Sequence, residues 1–147
     1  MDSLSFPLLS NDYLMKIFLE TLRRAEEGDC QAQYAIGSRF LIGQPIPKDS
    51  HSAIKWFTKS AEQGHTEAMH CLAAMFFNGD GIPINLVKSY AWFSVIAKLK
   101  NGDKESKNEH DFVLKKLTTD QIEDAKKLAD EILGKINANK NRRILSN

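Results

Sequence analysis

Shifting the sequence against itself by 36 residues brings like residues together along most of its middle. Ala25, Glu26 and Gly28 fall on Ala61, Glu62 and Gly64, and Ala32, Phe40 and Gly43 fall on Ala68, Phe76 and Gly79. Ile46-Pro47 meets Ile82-Pro83, and Trp56-Phe57 meets Trp92-Phe93. Small, aromatic and turn residues thus recur in one register. A period of this length means stacked supersecondary units, none of which can bury its apolar face alone.

The pattern inside one period defines the unit. Ala32, Ala35, Ile36 and Phe40 recur at three- and four-residue spacing, the signature of one helix face. Gly43 predicts the end of that helix, because glycine takes the left-handed conformation common at helix C-termini. In "QPIPKD", Pro45 and Pro47 lack amide donors and restrict the residues before them, so the segment is a loop. Asp49 then caps a second helix with Ala53, Trp56, Phe57 and Ser60 on its buried stripe, closed by Gly64. The next period predicts a helix from about Thr66 to Asn78, the loop "GDGIPI", the cap Asn85 and a helix to about Lys98. Each period is therefore a helical hairpin, with its aromatic pair filling the gap between neighbouring hairpins.

The flanks extend the scheme. "NDYLMKIFLETLRRAEEG" has Asn11 as a candidate cap and Leu14, Ile17, Phe18, Leu22 and Ala25 on one face, the second helix of a degenerate leading unit. After Gly102, "KESKNEHDFVLKKL" and "TTDQIEDAKKLADEILGKI" predict two more helices. Thr118 and Gln121 are spaced as a capping box, and Ile122, Ala125, Leu128, Ala129 and Ile132 form the apolar stripe. The expected division is an N-terminal extension at 1–10, a leading helix at 11–27, and repeats at 28–63 and 64–102. Capping helices at 104–138 and a flexible basic tail at 139–147 follow.

Composition restricts function. The 147 residues are 42% hydrophobic and 27% charged, ordinary for a soluble globular domain. Twenty basic and 19 acidic residues give a net charge of +1, which offers no global attraction to nucleic acid or to an anionic membrane. The basic tail (Lys135, Lys140, Arg142, Arg143) has no aromatic residue after Phe112 on which bases could stack, so no nucleic-acid binding is expected. No apolar run approaches a membrane span, and the N-terminus lacks the pattern of a secretory signal. Cytoplasmic residence is the default, and export by a signal-independent secretion system is compatible with it.

Catalytic and metal chemistry find little support. Among the four histidines, His65 and His70 are five residues apart and do not share a helix face, and adjacent His70 and Cys71 diverge around the helix. Cys71 aligns with Ala35 at a small packing position, which predicts a buried, inert thiol. Cys30 sits near a helix start, where a thiol pKa can fall. "GDGIP" lacks the residues of a phosphate-binding loop, and no nucleophile elbow is present. No catalytic residue, metal ligand or cofactor is therefore expected.

The residues of the repeat resemble the Sel-one-like repeat, a relative of the tetratricopeptide repeat. In the first copy the matching positions are Ala32, Ile36, Gly37, Phe40, Gly43, Ile46, Asp49, Ala53, Trp56, Ala61 and Gly64. In the second they are Ala68, Leu72, Phe76, Gly79, Gly81, Ile82, Asn85, Trp92 and Ala97. Pro45 stands for the second loop glycine, Ala73 for the helix glycine and Ser89 for an alanine, and "AKLKNGD" is two residues longer than "AEQGH". The resemblance implies an all-α fold, a short right-handed solenoid whose first helices line a concave face. By that analogy the partner-binding residues are Gln31, Tyr34, Ser38 and Leu41 from the first copy and Glu67, His70, Ala74 and Phe77 from the second. Their implied partner is a protein or peptide, and the implied role is a non-catalytic adaptor of bacterial type. Two alternatives accompany it. One is an immunity-type or regulatory protein that neutralises a toxin or effector. The other is a weak β-lactam or peptidoglycan-related hydrolase like certain cysteine-rich relatives, whose cysteine pair per repeat is missing here.

Overall fold

Every helix after the first begins where a side chain takes over amides that the first turn leaves free. Asp29 accepts from the amides of Gln31 and Ala32, Asp49 from those of His51 and Ser52, and Asn85 from that of Lys88. Asp103 accepts from Ser106, and Thr118 with Gln121 completes a capping box. The computed structural model describes residues 10–147. Its helices there are α1 (Asn11–Glu26), α2 (Cys30–Ile42), α3 (Ser50–Ala61), α4 (Thr66–Asn78), α5 (Leu86–Leu99), α6 (Lys104–Leu114) and α7 (Thr119–Leu145). No strand occurs among the described residues, and the arrangement is an all-α solenoid.

The loop between the helices of a hairpin is built the same way twice. Gly43 and Gly79 end α2 and α4 at φ values of 83° and 70°, a region open to glycine at little cost. The chain then returns so that the Asp49 amide donates to the Phe40 carbonyl at 2.9 Å, and the Asn85 amide to that of Phe76 at 2.8 Å. In this way each cap residue also ties the second helix to the end of the first.

Packing follows chain order. α1 lies on α2, α2 on α3, α3 on α4 and α4 on α5, while α5 also receives α6 and α7. The main core runs from Ala53 and Phe57 through Met69, Leu72, Trp92 and Ile96 to Ala125, Ile132 and Ile136. A smaller cluster of Phe18, Ala25, Ala32 and Ile36 joins the leading helix to the first hairpin. The aromatic pairs act within this frame. Phe57, Trp92 and Phe93 are buried, whereas Trp56 is half-buried and reaches back onto the smaller cluster. Phe57 explains Gly37: a Cβ there would stand 2.7 Å from Cδ1 of the Phe57 ring, closer than real side chains approach.

Three expectations need correction. Ser10, not Asn11, caps α1, its hydroxyl accepting from the Tyr13 amide at 3.3 Å. Ile17, placed on the buried face, is 39% exposed, because among the described residues no helix packs on that side of α1. The segment 139–147 is not a structureless tail, since α7 continues to Leu145. Of the expected N-terminal extension, residues 1–9 lie outside the described residues.

The physical cause of the longer α7 lies in what it crosses. Its Asp130 pairs with Lys98 at the end of α5, at 3.0 Å. Ile136 is fully buried, and Asn139 donates through Nδ2 to the Glu62 carbonyl oxygen at the end of α3. Lys135 lies 3.6 Å from the Glu62 carboxylate, and Arg142 and Arg143 share a shallow cavity with Gly28 and Gln63. The cations thus meet the C-terminal ends of α3 and α1, where free carbonyls concentrate partial negative charge.

Candidate first-helix binding face

The helices α2 and α4 are the first members of the two hairpins, α6 follows them and packs on α5, and the caps of all three set a common register. Asp29, His65 and Asp103 are those caps. Counted from them, Gln31, Glu67 and Glu105 occupy equivalent positions, as do Tyr34, His70 and Asn108, and Ser38, Ala74 and Phe112. Leu41 and Phe77 correspond to Lys115. At a fixed 36-residue offset the third row falls out of register, because the interval from His65 to Asp103 is two residues longer than that from Asp29 to His65. The cap residues themselves carry the signal that finds it.

The structure gathers the candidate residues into two groups. The first surrounds His65. Nδ1 of this imidazole accepts from the Ala68 amide, so Nε2 carries the hydrogen and donates to Oε1 of Gln31 at 2.8 Å. The Glu67 carboxylate lies 3.4 Å from Nδ1, but an imidazole in this tautomer offers it no proton. Tyr34 stacks on His65 with ring centroids 4.8 Å apart and also meets Phe57. Burial raises the pKa of both the Tyr34 hydroxyl and the neighbouring Cys71 thiol. Gln31, Tyr34 and His65 therefore bridge α2 to α4.

The second group lines a cavity of about 340 Å³ between α4 and α6. Ala74, Phe77 and Asn78 come from α4, Phe93 from α5, and Asn108, Glu109, Phe112 and Val113 from α6. Phe77 and Phe112 face each other at 5.7 Å, and Phe112 is 55% exposed. His70 stands beside this cavity, its ring edge-on to Phe93 at 6.3 Å and its Nδ1 3.5 Å from Oε2 of Glu109. Ser38 and Leu41 join neither group. The Ser38 hydroxyl donates to the Tyr34 carbonyl, and Leu41 packs against the main core.

Reactive groups lie apart from one another or are occupied. Cys30 and Cys71 are both free and half-buried. His110 contacts Asp111 at 3.1 Å, and its ring lies 4.5 Å from that of Tyr90. Among the described residues no three His, Cys, Asp or Glu side chains are arranged to hold a metal ion, and no helix is long and apolar enough to cross a membrane.

The pattern of the Sel1 repeat matches residues 30–65 and 66–101. Similar solved structures include the following two. One is c5321, a protective antigen present in uropathogenic Escherichia coli strains displaying an SLR fold, with a TM-score of 0.77 and 27% identity. The similarity covers 95% of this chain and 30% of that one, so the chain spans less than a third of c5321. The other is a Sel1 repeat protein from Oxalobacter formigenes, with a TM-score of 0.52 and 21% identity over 79% of this chain and 98% of that one. This second likeness concerns the fold alone. No curated protein matches the chain. Sel1 repeat proteins are generally protein-interaction modules, and the fold is typically a non-catalytic scaffold.

Proposed function

For this chain, a Sel1-repeat protein by its two tandem repeats, we propose a non-catalytic role in which the concave face of the solenoid grips a peptide or partner protein. The observation that carries this reading is the contrast between frame and surface. Framework positions recur between hairpins: Ala32 and Ala68, Phe40 and Phe76, Asp49 and Asn85, Trp56 and Trp92. At equivalent distances from the caps, the surface of α2, α4 and α6 reads Gln31, Glu67 and Glu105, then Tyr34, His70 and Asn108, then Ser38, Ala74 and Phe112. A shared frame that carries a different side chain in each hairpin suits recognition of one particular surface.

The polar groups on this face support a binding role over chemistry. His65 serves as a helix cap and bridge, and the Cys71 thiol is pushed up by burial, away from the reactive thiolate. Apolar anchors such as Phe77 and Phe112 are the kind of residue that dominates interface energy. An adaptor and an immunity-type protein would use the same surface and differ only in the partner gripped.

A capture experiment with the wild type and a Tyr34→Ala/Phe77→Ala variant tests the proposal, with melting temperature as the control for folding. Loss of a partner at retained fold is the expected outcome. Equal recovery of the same partners by both proteins contradicts it. Hydrolysis of nitrocefin that is abolished by mutating a residue of this face would overturn the non-catalytic reading.

A further inference from the structure

The groove between α4 and α6 changes character along its length. At one end Phe77 and Phe112, with Ala74, Phe93 and Val113, wall the cavity of about 340 Å³, whose surface is almost wholly apolar. His70 and Glu109, 3.5 Å apart, mark the middle of the groove. One turn before each of them, on the same face of its helix, stand Glu67 and Glu105. Both are exposed, and among the described residues neither pairs with a lysine or arginine. Lys104 and Lys107 lie about 100° and 160° round α6 from Glu105, and Lys100 stands by Asp103 in the turn before the helix. Lys116 sits at the opposite end, its ammonium 5.3 Å from the Phe112 ring centroid. Along the groove the order is therefore acid, apolar cavity, cation.

We propose that this groove takes an extended segment of the partner protein, with an apolar side chain in the cavity and a lysine or arginine over Glu67 and Glu105. This assignment rests on the binding role proposed above and states what the partner must carry. A polar head would find no partner among the cavity walls, so the anchor is apolar. The unpaired acids set the charge beside it, since an acidic neighbour would meet like charge at that end. The spacing follows from the helices. Glu105 precedes Phe112 by seven residues and Glu67 precedes Phe77 by ten, which at 1.5 Å per residue is about 10–15 Å along the groove. An extended chain covers that length in about four residues and turns residues i and i+4 to the same side.

The test uses the full chain and three acetylated peptide amides, titrated at low salt while NMR shifts are followed. The first is Ser-Arg-Ser-Ala-Ser-Leu-Ser, the second has neutral citrulline for the arginine, and the third has serine for the leucine. Saturable shifts at Ala74, Phe77 and Phe112 are expected with the first. The citrulline peptide should bind about fivefold more weakly, the scale of two exposed charge pairs, and the leucine-free peptide should not saturate. Glu67→Gln/Glu105→Gln should abolish the preference for arginine and keep that for leucine, whereas Glu131→Gln, an exposed acid on α7, should change neither. No saturable shift with the arginine peptide, or equal affinity for the arginine and citrulline peptides, overturns the proposal. The same shifts appearing with protein concentration alone would assign the groove to a second copy of the chain and overturn it as well. The wild-type comparison needs no variant, so a folding defect in the double variant cannot hide the answer. Failure here would leave the capture of a partner by the concave face untouched, and loss of that capture would not alter the peptide result.

Discussion

Asn139 and Glu62, 77 residues apart in sequence, are joined by a 3.0 Å hydrogen bond from the asparagine amide to the glutamate backbone carbonyl. Through this contact the last helix closes over the end of α3. Ile136, one turn earlier, is fully buried. Ile136→Ala should therefore destabilise the fold by about 2–5 kcal/mol, and Asn139→Ala by about 1 kcal/mol. Urea denaturation measures both. Unchanged midpoints would mean that α7 leaves the body of the protein after Leu133.

The Phe57 ring of α3 lies directly against the backbone of α2 at Gly37. Gly37→Ala gains about 1 kcal/mol of helix propensity but adds a methyl 2.7 Å from a ring that is itself fully buried. Overpacking of this kind costs about 1–3 kcal/mol, so a net loss is expected, and Phe57→Leu should relieve it. A Gly37→Ala protein that melts higher than the wild type would contradict the approach. Ala73, the equivalent residue on α4, already carries a methyl there.

The two tryptophans should respond unequally despite their identical place in the repeat. Trp92 is 6% exposed within the main core, so Trp92→Ala should cost about 3–5 kcal/mol. Trp56 is half-buried with Lys59 over its ring at 4.6 Å, and Trp56→Ala should cost roughly 1–2 kcal/mol. Equal losses in chemical denaturation would show that the leading cluster is as tightly closed as the centre.

Much of the frame was legible because local and tandem signals agreed. Asp49, Asn85, Gly43 and Gly79 act where cap and turn chemistry predicts, and α4 begins and ends at the expected Thr66 and Asn78. What escaped has identifiable causes. Asn139 occupies a polar break in the apolar stripe of α7, and only a distant carbonyl explains it. Ile17 continues the helical period, but its burial depends on a neighbour that no period encodes. Phe112 and Glu109 were hidden by the two-residue extension in "AKLKNGD", which moves α6 out of the 36-residue register. Tyr34 and Phe77 were readable as surface candidates. That Tyr34 bridges α2 to α4 while Phe77 walls a cavity depends on packing between hairpins.

Acid should weaken the fold through the caps. The Asp49 carboxyl is held below its ordinary range by hydrogen bonds from the Ser52 side chain and amide, and Asp103 by Ser106, whose amide donates to its Oδ1. For Asp29 the Ala32 amide and Arg24 have that effect. A depressed folded-state pKa gives stability that is present above the unfolded value, near 3.8 for aspartate, and lost as pH falls through the folded values. The triple variant Asp29→Asn/Asp49→Asn/Asp103→Asn keeps capping oxygens without the charge. Its urea midpoint should fall less steeply than that of the wild type below about pH 4. Parallel acid limbs would show that the caps do not contribute to this loss.

Site-specific photo-crosslinking tests the binding face most directly. A benzophenone side chain replaces Ala74, exposed on α4, or Lys55, exposed on the second helix α3. With a partner isolated by capture on the wild type, crosslinks should form from position 74 and be absent from position 55. Crosslinks from position 55 and none from position 74 would place the partner on the opposite surface and contradict the proposed grip.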